Sequence, residues 1–209
     1  MQEKSFFYIV FIASLAILLT GCPENNLPSV DINGHVWTTQ NYDGTQYQNG
    51  DIIPEVKSPA EWEKLTTGAW CYYNNDASNG TKYQKLYNIF AISDKRGFAP
   101  KGWHIPSNTE WIKLVDFLGG VSVAASAMKS TQGWNGSGNG TNRSKLNCLP
   151  GGIRSTLSFS GIGDQGIWWT SSKDTNGDGI IWVINSANVY QNTAVNNAGV
   201  SVRFIKDKE

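Results

Sequence analysis

The fold is decided by residues 97–111, which read GFAPKGWHIPSNTEW. This segment ends in a capping box, in which Ser107 accepts a hydrogen bond from the helix backbone and Glu110 reaches back to the backbone of Ser107. Apolar residues at helical spacing and then a glycine pair follow: Trp111, Leu114, Val115, Leu118 and Gly119-Gly120. The pattern predicts an amphipathic helix that begins after Ser107 and ends at the glycines.

On either side of this segment, the periodic stretches are short. Residues 58–65, with a proline near the first turn, and residues 121–129 predict two further helices. Apolar or alternating runs predict strands over residues 35–37, 70–73, 167–170, 180–184 and 200–205. Long loops rich in glycine and asparagine separate them. Because the helices come early and mid-chain and the strands mostly late, the order indicates a single α+β domain with few helices and antiparallel strands.

The N-terminus carries the pattern of an export signal. Residues 1–21 have one lysine in a short polar head, followed by an apolar run that is short for a membrane span. The tetrapeptide at residues 19–22, Leu-Thr-Gly-Cys, resembles the bacterial lipobox, whose cysteine is lipidated through sulfur. We therefore predict a signal peptide at 1–21, lipidation of Cys22, a tether at 22–30 and one globular domain at 31–209. An ordinary secretory signal or an uncleaved anchor helix is the alternative.

The composition suits a domain that stands in water beside a membrane. Lysine and arginine together number 17, as do aspartate and glutamate, so the chain lacks the positive charge expected of a nucleic-acid-binding protein. Pro23 follows Cys22 where an aspartate would favour retention in the inner membrane. The expected location is the bacterial outer membrane, at its periplasmic or surface face, with the lipid as the membrane contact.

The cysteines and histidines suggest little further chemistry. Cys71 and Cys148 could pair in an oxidising compartment, or they could be two buried free thiols, and the sequence leaves both open. His35 and His104 lie far apart in sequence, which argues against a multi-histidine metal site. No cofactor is expected, apart from the calcium alternative that follows.

One segment resembles half of an EF-hand calcium loop. Asp174, Asn176 and Asp178 occupy positions one, three and five, and Gly179 occupies position six. Position twelve is Asn185, where a bidentate carboxylate would be needed for good affinity. The same Asn-Gly-Asp-Gly run is strong turn chemistry, so a β-hairpin is the favoured interpretation and a weak calcium site the alternative.

The chain has nine tryptophans, which either anchor its loops or stack on a ligand. Stacking faces for sugar rings could come from Trp103, Trp134, Trp168, Trp169 and Trp182. The candidates chosen are Trp134, Trp168 and Trp182, and core packing with a satisfied indole N–H is the alternative. Trp168 and Trp169 are neighbours on a predicted strand and must therefore point to opposite faces. His104 and Glu110 suggest acid–base chemistry, but the capping box already accounts for Glu110.

Residues 97–111 resemble the signature of the Fibrobacter succinogenes major paralogous domain family, bacterial extracytoplasmic domains that are frequently lipoproteins. Further blocks match in order at residues 34–37 with Asn41, 72–76, 86–88, 149–152 with Arg154, 168–172 and 201–203. The resemblance covers about residue 31 to the C-terminus and implies a single domain outside the cytoplasm. It implies no particular activity.

The same helix entry is similar to formylglycine-generating-enzyme-like domains, a branch of the C-type-lectin-like fold, which implies a lectin-like architecture. Those enzymes act through cysteines, and neither Cys71 nor Cys148 lies in a matching context. The favoured function is a non-catalytic, lipid-anchored envelope or surface protein that binds polysaccharide or a surface protein. The alternatives are a formylglycine-generating-type enzyme and a structural component of an envelope assembly.

Overall fold

A computed structural model describes residues 27–208. The strands are β1 (Ser29–Ile32), β2 (His35–Thr38), β3 (Trp70–Cys71), β4 (Leu86–Tyr87), β5 (Trp103–His104), β6 (Gly151–Arg154), β7 (Phe159–Ile162), β8 (Gly166–Lys173), β9 (Gly179–Ile184), β10 (Val189–Ala194) and β11 (Ile205–Lys206). The helices are α1 (Pro59–Glu63), α2 (Ala77–Tyr83), α3 (Ile89–Ile92), α4 (Asn108–Phe117) and α5 (Val121–Met128). The predicted signal peptide, Cys22 and the first part of the tether lie outside the described residues.

The strands form several small antiparallel sheets. One sheet has the order β1-β2-β11-β5, a second has the order β10-β9-β8, and β3-β4 and β6-β7 are two-stranded. Their pairings are antiparallel throughout. Together with the helices they make an α+β fold, as predicted. Because Ser29 already pairs with Thr38, the folded domain begins two residues before the boundary predicted at residue 31.

Helix α4 begins as its sequence predicts. The Ser107 hydroxyl accepts a hydrogen bond from Glu110 N (3.3 Å), and the Glu110 carboxylate accepts one from Ser107 N (2.7 Å). Trp111 and Leu114 are buried on the inner face of the helix. Within the described residues, no single helix is long and apolar enough to cross a membrane, and α4 and α5 satisfy the criterion only as a pair bent by 90°.

Local turn chemistry explains where the structure departs from the predicted elements. The strand predicted over 70–73 stops at Cys71, because a 3₁₀ turn with Asn74 at φ 55° follows. Helices α2 and α3 were not predicted; each begins at a side-chain cap, Asp76 and Asn88, that no apolar periodicity marks. Most of the strand predicted over 200–205 is extended but irregular, and only its last residue lies in β11.

The core is divided into hydrophobic clusters on the two faces of the sheets. Trp168 lies in the cluster beneath α4 and α5, and Trp169 lies in the cluster on the opposite side. The predicted opposition of these two side chains is therefore confirmed. All nine tryptophans are largely buried, and Trp103, at 9% exposed, is the most accessible of them, so most of the aromatic content of the chain forms its interior.

A buried arginine and a buried asparagine join three distant segments of the chain. The Arg203 guanidinium donates to Thr38 O (2.7 Å), Leu146 O (2.8 Å) and Asn147 O (3.3 Å). Its Nε donates to Asn41 Oδ1 (2.8 Å), which also accepts from the Trp168 indole (2.8 Å). Burial lowers the pKa of Arg203, and carbonyl dipoles take the place of a counter-carboxylate around its charge.

Arg154 plays the same part on the other side of the domain. It is fully buried and donates to Val56 O (2.8 Å), Lys57 O (3.2 Å) and Ser58 O (3.3 Å). Its guanidinium lies 4.1 Å from the centre of the Trp62 ring. These arginines belong to sequence blocks that match the family signature, and both hold loop backbones in place.

Candidate ligand-binding groove

A groove of about 1040 Å³ lies over the open face of the four-stranded sheet and is here called the sheet groove. Its floor comes from β1, β2, β5 and β11, and its walls come from residues 42–48 and 98–102. Its lining residues are Leu27, Ser29, Val36, Tyr42, Asp43, Gly44, Thr45, Gln46, Tyr47, Gln48, Phe98, Pro100, Lys101, Gly102, Trp103 and Lys206. Aromatic rings and polar side chains therefore share one surface.

Strand alternation places these side chains on the groove side of the sheet. Ile205 pairs with Trp37, and both belong to the cluster beneath α4. The next pair along β11 is Lys206 with Trp103, so both point to the opposite face. Val36, the neighbour of Trp37, lies on that face as well. One face of the sheet therefore packs on the helix, and the other is left open as the groove floor.

Tyr42 forms the aromatic part of one wall. Its ring stacks on Tyr87 with centroids 5.8 Å apart and meets Phe98 and Phe204 edge-on at 5.1 and 4.9 Å. Burial, and then the negative charge of Asp43, raise the pKa of the Tyr42 hydroxyl. The ring is thus held by other aromatic rings, while its half-buried position leaves part of it to the groove.

A buried lysine fixes the same wall from behind. Lys85 Nζ donates to Asp43 Oδ1 (2.6 Å) and Asp43 O (2.8 Å). It also lies over the rings of Trp70 (4.6 Å) and Tyr72 (5.2 Å). Because the Asp43 carboxylate contacts this ammonium group directly, its negative charge is largely offset. These contacts hold Asp43 in place, and this wall contributes little net charge to the groove.

The second wall is formed by the first part of residues 97–111. Gln48 N donates to Gly97 O (2.7 Å), and the Gln48 side chain donates to Ala99 O. Gly97 has φ 83°, and a Cβ atom there would lie 2.9 Å from Gln48 Cδ, so a side chain at this position would disturb the junction of the two walls. Gly97 therefore allows the close contact between the two walls of the groove.

The sequence analysis named Trp103 as one possible stacking ring but did not locate this groove. The tryptophans proposed for stacking are core residues: Trp134 is 5% exposed, Trp168 is fully buried and Trp182 is 5% exposed. Their indole N–H groups donate to Ser130 and Cys148, to Asn41 and to Asn108, respectively. The signal that could have located the groove is the run at residues 42–48, YDGTQYQ, in which two tyrosines alternate with amides and other polar residues.

His104 forms a cluster with two carboxylates outside the groove. Its Nε2 lies 3.0 Å from Glu110 Oε1 and its Nδ1 lies 2.7 Å from Asp207 Oδ1. Burial disfavours the charged ring, but the hydrogen bonds and charges of these two carboxylates outweigh it and raise the pKa of His104. Burial also opposes ionisation of Glu110, yet the Ser107 backbone N–H, followed by His104, lowers the pKa of that carboxyl.

This arrangement is a clamp that joins two segments of the chain. Both ring nitrogens of His104 are occupied, and one oxygen of Glu110 is held by the helix cap. The cluster joins the start of α4 to the chain just after β11. Glu110 also borders a smaller cavity of about 330 Å³ between α4 and the β1–β2 hairpin, together with His35 and Lys113.

The candidate calcium residues form the turn between β8 and β9. Asp174 Oδ1 accepts hydrogen bonds from Asn176 N (2.8 Å) and Asp178 N (2.9 Å), and Asp174 N donates to Asp178 O (2.9 Å). The favoured hairpin interpretation therefore matches the structure. Within residues 27–208, no group of three or more histidine, cysteine, aspartate or glutamate side chains is arranged to hold a metal ion.

The structure does not bring the two described thiols together. Cys71 lies in the cluster with Trp62, and Cys148 lies in the cluster beneath α4 and α5; both are free and buried. Burial raises the pKa of each thiol to about 11, and the nearby guanidinium groups, Arg154 for Cys71 and Arg203 for Cys148, offset this only in part. At neutral pH both are protonated and poor nucleophiles.

Comparison with known proteins places this fold in a family. The family model described as the Fibrobacter succinogenes major domain matches residues 30–206. No curated protein matches the chain, and no solved structure matches it.

Proposed function

The chain belongs to the Fibrobacter succinogenes major domain family, and we propose that this member is a non-catalytic binding module whose sheet groove takes a polysaccharide. The observation that carries the proposal is the groove lining, where Tyr42 and Trp103 lie among amide, hydroxyl and ammonium groups. A sugar ring has apolar C–H faces and a polar edge. Aromatic rings suit the faces, and glutamine and lysine side chains suit the hydroxyl groups.

The carboxylates of the groove favour binding over cleavage. Glycoside hydrolysis usually needs two carboxyl groups on either side of the bond, about 5–9.5 Å apart. Asp43 is the only carboxylate among the lining residues that the structure describes, and Lys85 holds it. A groove with one neutralised carboxylate can retain a sugar chain without cutting it.

The N-terminal sequence supports a membrane-anchored location for the module. Lipidation of Cys22 would anchor it to the bacterial outer membrane, at the periplasmic or surface face. A C-type-lectin-like relationship would agree with a saccharide ligand, although fold alone does not fix function. A surface protein is the alternative partner.

The two other functions have weaker support. A formylglycine-generating-type enzyme needs a reactive cysteine in a cleft, whereas Cys71 and Cys148 are buried with raised pKa values. A purely structural envelope component needs no open groove with fixed aromatic walls. Each is an outcome of the binding experiment below.

The test is a binding screen with a panel of soluble acidic and neutral bacterial polysaccharides. Tyr42→Ala should weaken the binding of any ligand found by about 1–2 kcal/mol, or roughly five- to thirty-fold. Tyr190→Ala, which removes a half-buried tyrosine outside the groove, is the matched control and should bind as wild type does. Equal weakening by both variants, or loss of binding only with substitutions outside the groove, would reject the sheet groove.

A further inference from the structure

The uncompensated charges of the sheet groove are positive. Lys85 offsets Asp43, whereas Lys101 and Lys206 are exposed and form no ion pair with any residue that the structure describes. Their backbones lie near that of Trp103: Lys206 is its partner across β11 and β5, and Asp207 N donates to Gly102 O (2.9 Å), next to Lys101. Two lysines that line the same groove as Tyr42 and Trp103 suit a sugar that carries a carboxylate, sulfate or phosphate.

The chain also enters the domain at this groove. Leu27 lines the groove and packs against the hydrophobic cluster that contains Trp103 and Phe204. Cys22, the predicted lipid attachment site, is five residues earlier in sequence. Five extended residues span at most about 18 Å. If Cys22 is lipidated, the Leu27 end of the groove is therefore held within about 18 Å of the membrane surface.

From this charge and this short tether, we infer that the groove binds the acidic saccharide headgroup of a glycolipid in the same membrane that anchors the protein. The inference rests on the proposed function and narrows its ligand class. The apolar face of the sugar would lie against Tyr42 and the accessible edge of Trp103, and its acidic group would be bound by Lys101 and Lys206. A headgroup in the anchoring leaflet reaches the groove over a distance that the tether permits.

The experiment uses the lipidated protein, isolated from membranes and reconstituted into phosphatidylcholine vesicles. The vesicles contain equal molar fractions of sulfoquinovosyl diacylglycerol (an acidic sugar lipid), digalactosyl diacylglycerol (a neutral sugar lipid) or phosphatidylglycerol (an acidic lipid without sugar). The rate at which an amine-acylating reagent modifies Lys101 and Lys206 is followed by mass spectrometry. Lys64 and Lys145, exposed outside the groove, report the general effect of surface charge.

Only the acidic sugar lipid should protect the groove lysines. At a headgroup density about ten times Kd, Lys101 and Lys206 should be acylated about tenfold more slowly. The acylation rates of Lys64 and Lys145 should change by the same factor in the two acidic membranes. In the wild-type protein, the acidic sugar lipid should also slow the hydrogen exchange of residues 42–48. In a Lys101→Gln/Lys206→Gln variant, the same lipid should leave this exchange unchanged.

Several results would overturn the inference. Equal protection by phosphatidylglycerol would indicate charge without sugar recognition, and protection in every vesicle would indicate that residues 22–26 of the chain itself fill the groove. Failure of the protein to associate with vesicles through Cys22 would remove the membrane argument. A soluble polysaccharide could bind, and Tyr42→Ala could weaken that binding, while the glycolipid fails to protect Lys101 and Lys206. In that case the proposed function stands and this inference fails.

Discussion

Replacing Arg203 with methionine tests whether the residues shared with the family signature hold the fold. The substitution keeps a long side chain in a buried site but removes every hydrogen bond that the guanidinium donates. Those bonds join β2 at Thr38 to the loop at Leu146 and Asn147, and to Asn41 beside the groove wall. Because the acceptors are mostly backbone carbonyls, no rearrangement of side chains can replace the lost donors.

The expected cost follows from the acceptors left without a partner. The two shortest backbone contacts are Thr38 O at 2.7 Å and Leu146 O at 2.8 Å. A buried carbonyl that loses its hydrogen bond costs about 1–3 kcal/mol, so two of them give roughly 2–6 kcal/mol. Domains of this size unfold with about 5–15 kcal/mol, so the variant loses a large fraction of its stability.

The assay is urea unfolding followed by tryptophan fluorescence. Arg143→Met, at an exposed arginine, is the matched control and should stay within about 0.5 kcal/mol of wild type. Arg203→Lys should recover only part of the loss, because a lysine keeps the charge without the planar fork of donors. An Arg203→Met protein that unfolds within about 1 kcal/mol of wild type would refute the reasoning.

Four further predictions concern the clamp, the hairpin, the helix cap and the anchor. Because folding raises the pKa of His104, the contribution of this residue to the stability of the fold is complete below its usual pKa of about 6.5. That contribution is lost as the pH rises through the raised pKa. Since the pKa of Glu110 is lowered, its effect is complete above about 4.3 and is lost on acidification. Between pH 5 and 9, the melting temperature of the wild-type protein should therefore fall as the pH rises past the raised pKa of His104, whereas that of His104→Gln should not. The same decline in both proteins would contradict the clamp. Millimolar calcium should leave the melting temperature unchanged, and a calcium-dependent rise that Asp178→Ala abolishes would overturn the hairpin interpretation. Ser107→Ala should cost about 0.5–2 kcal/mol of unfolding free energy in urea titrations, and buried Trp111→Ala about 3–5 kcal/mol; wild-type stability in both would argue against their structural role. Cys22→Ser should abolish partition into the detergent phase, and continued processing and partition would refute lipidation.

The sequence specified the elements whose signals are local. The capping box at Ser107 and Glu110, the turn at Asp174 and the opposed Trp168 and Trp169 each depend on residues a few positions apart, and the structure has all three. Short helices such as α2 and α3 were missed, because Asp76 and Asn88 cap them without any apolar repeat.

The run at residues 42–48 marks one wall of the groove, but the complete groove could not be predicted from the sequence because its parts are distant along the chain. Tyr42, Trp103 and Lys206 meet only after β11 pairs with both β2 and β5. The tryptophan candidates failed for a related reason. Composition gives the number of aromatic rings but not which of them the sheet buries, and here the sheets bury Trp134, Trp168 and Trp182.

The most direct test of the central claim, that the sheet groove rather than the tryptophan core meets the ligand, is the indole N–H region of the NMR spectrum. A polysaccharide identified in the binding screen is titrated into protein labelled with nitrogen-15, and the nine indole signals are assigned by single substitutions. The Trp103 signal should shift with saturation, while those of Trp134, Trp168 and Trp182 should stay in place. Shifts at the three core indoles with Trp103 unchanged would contradict the account.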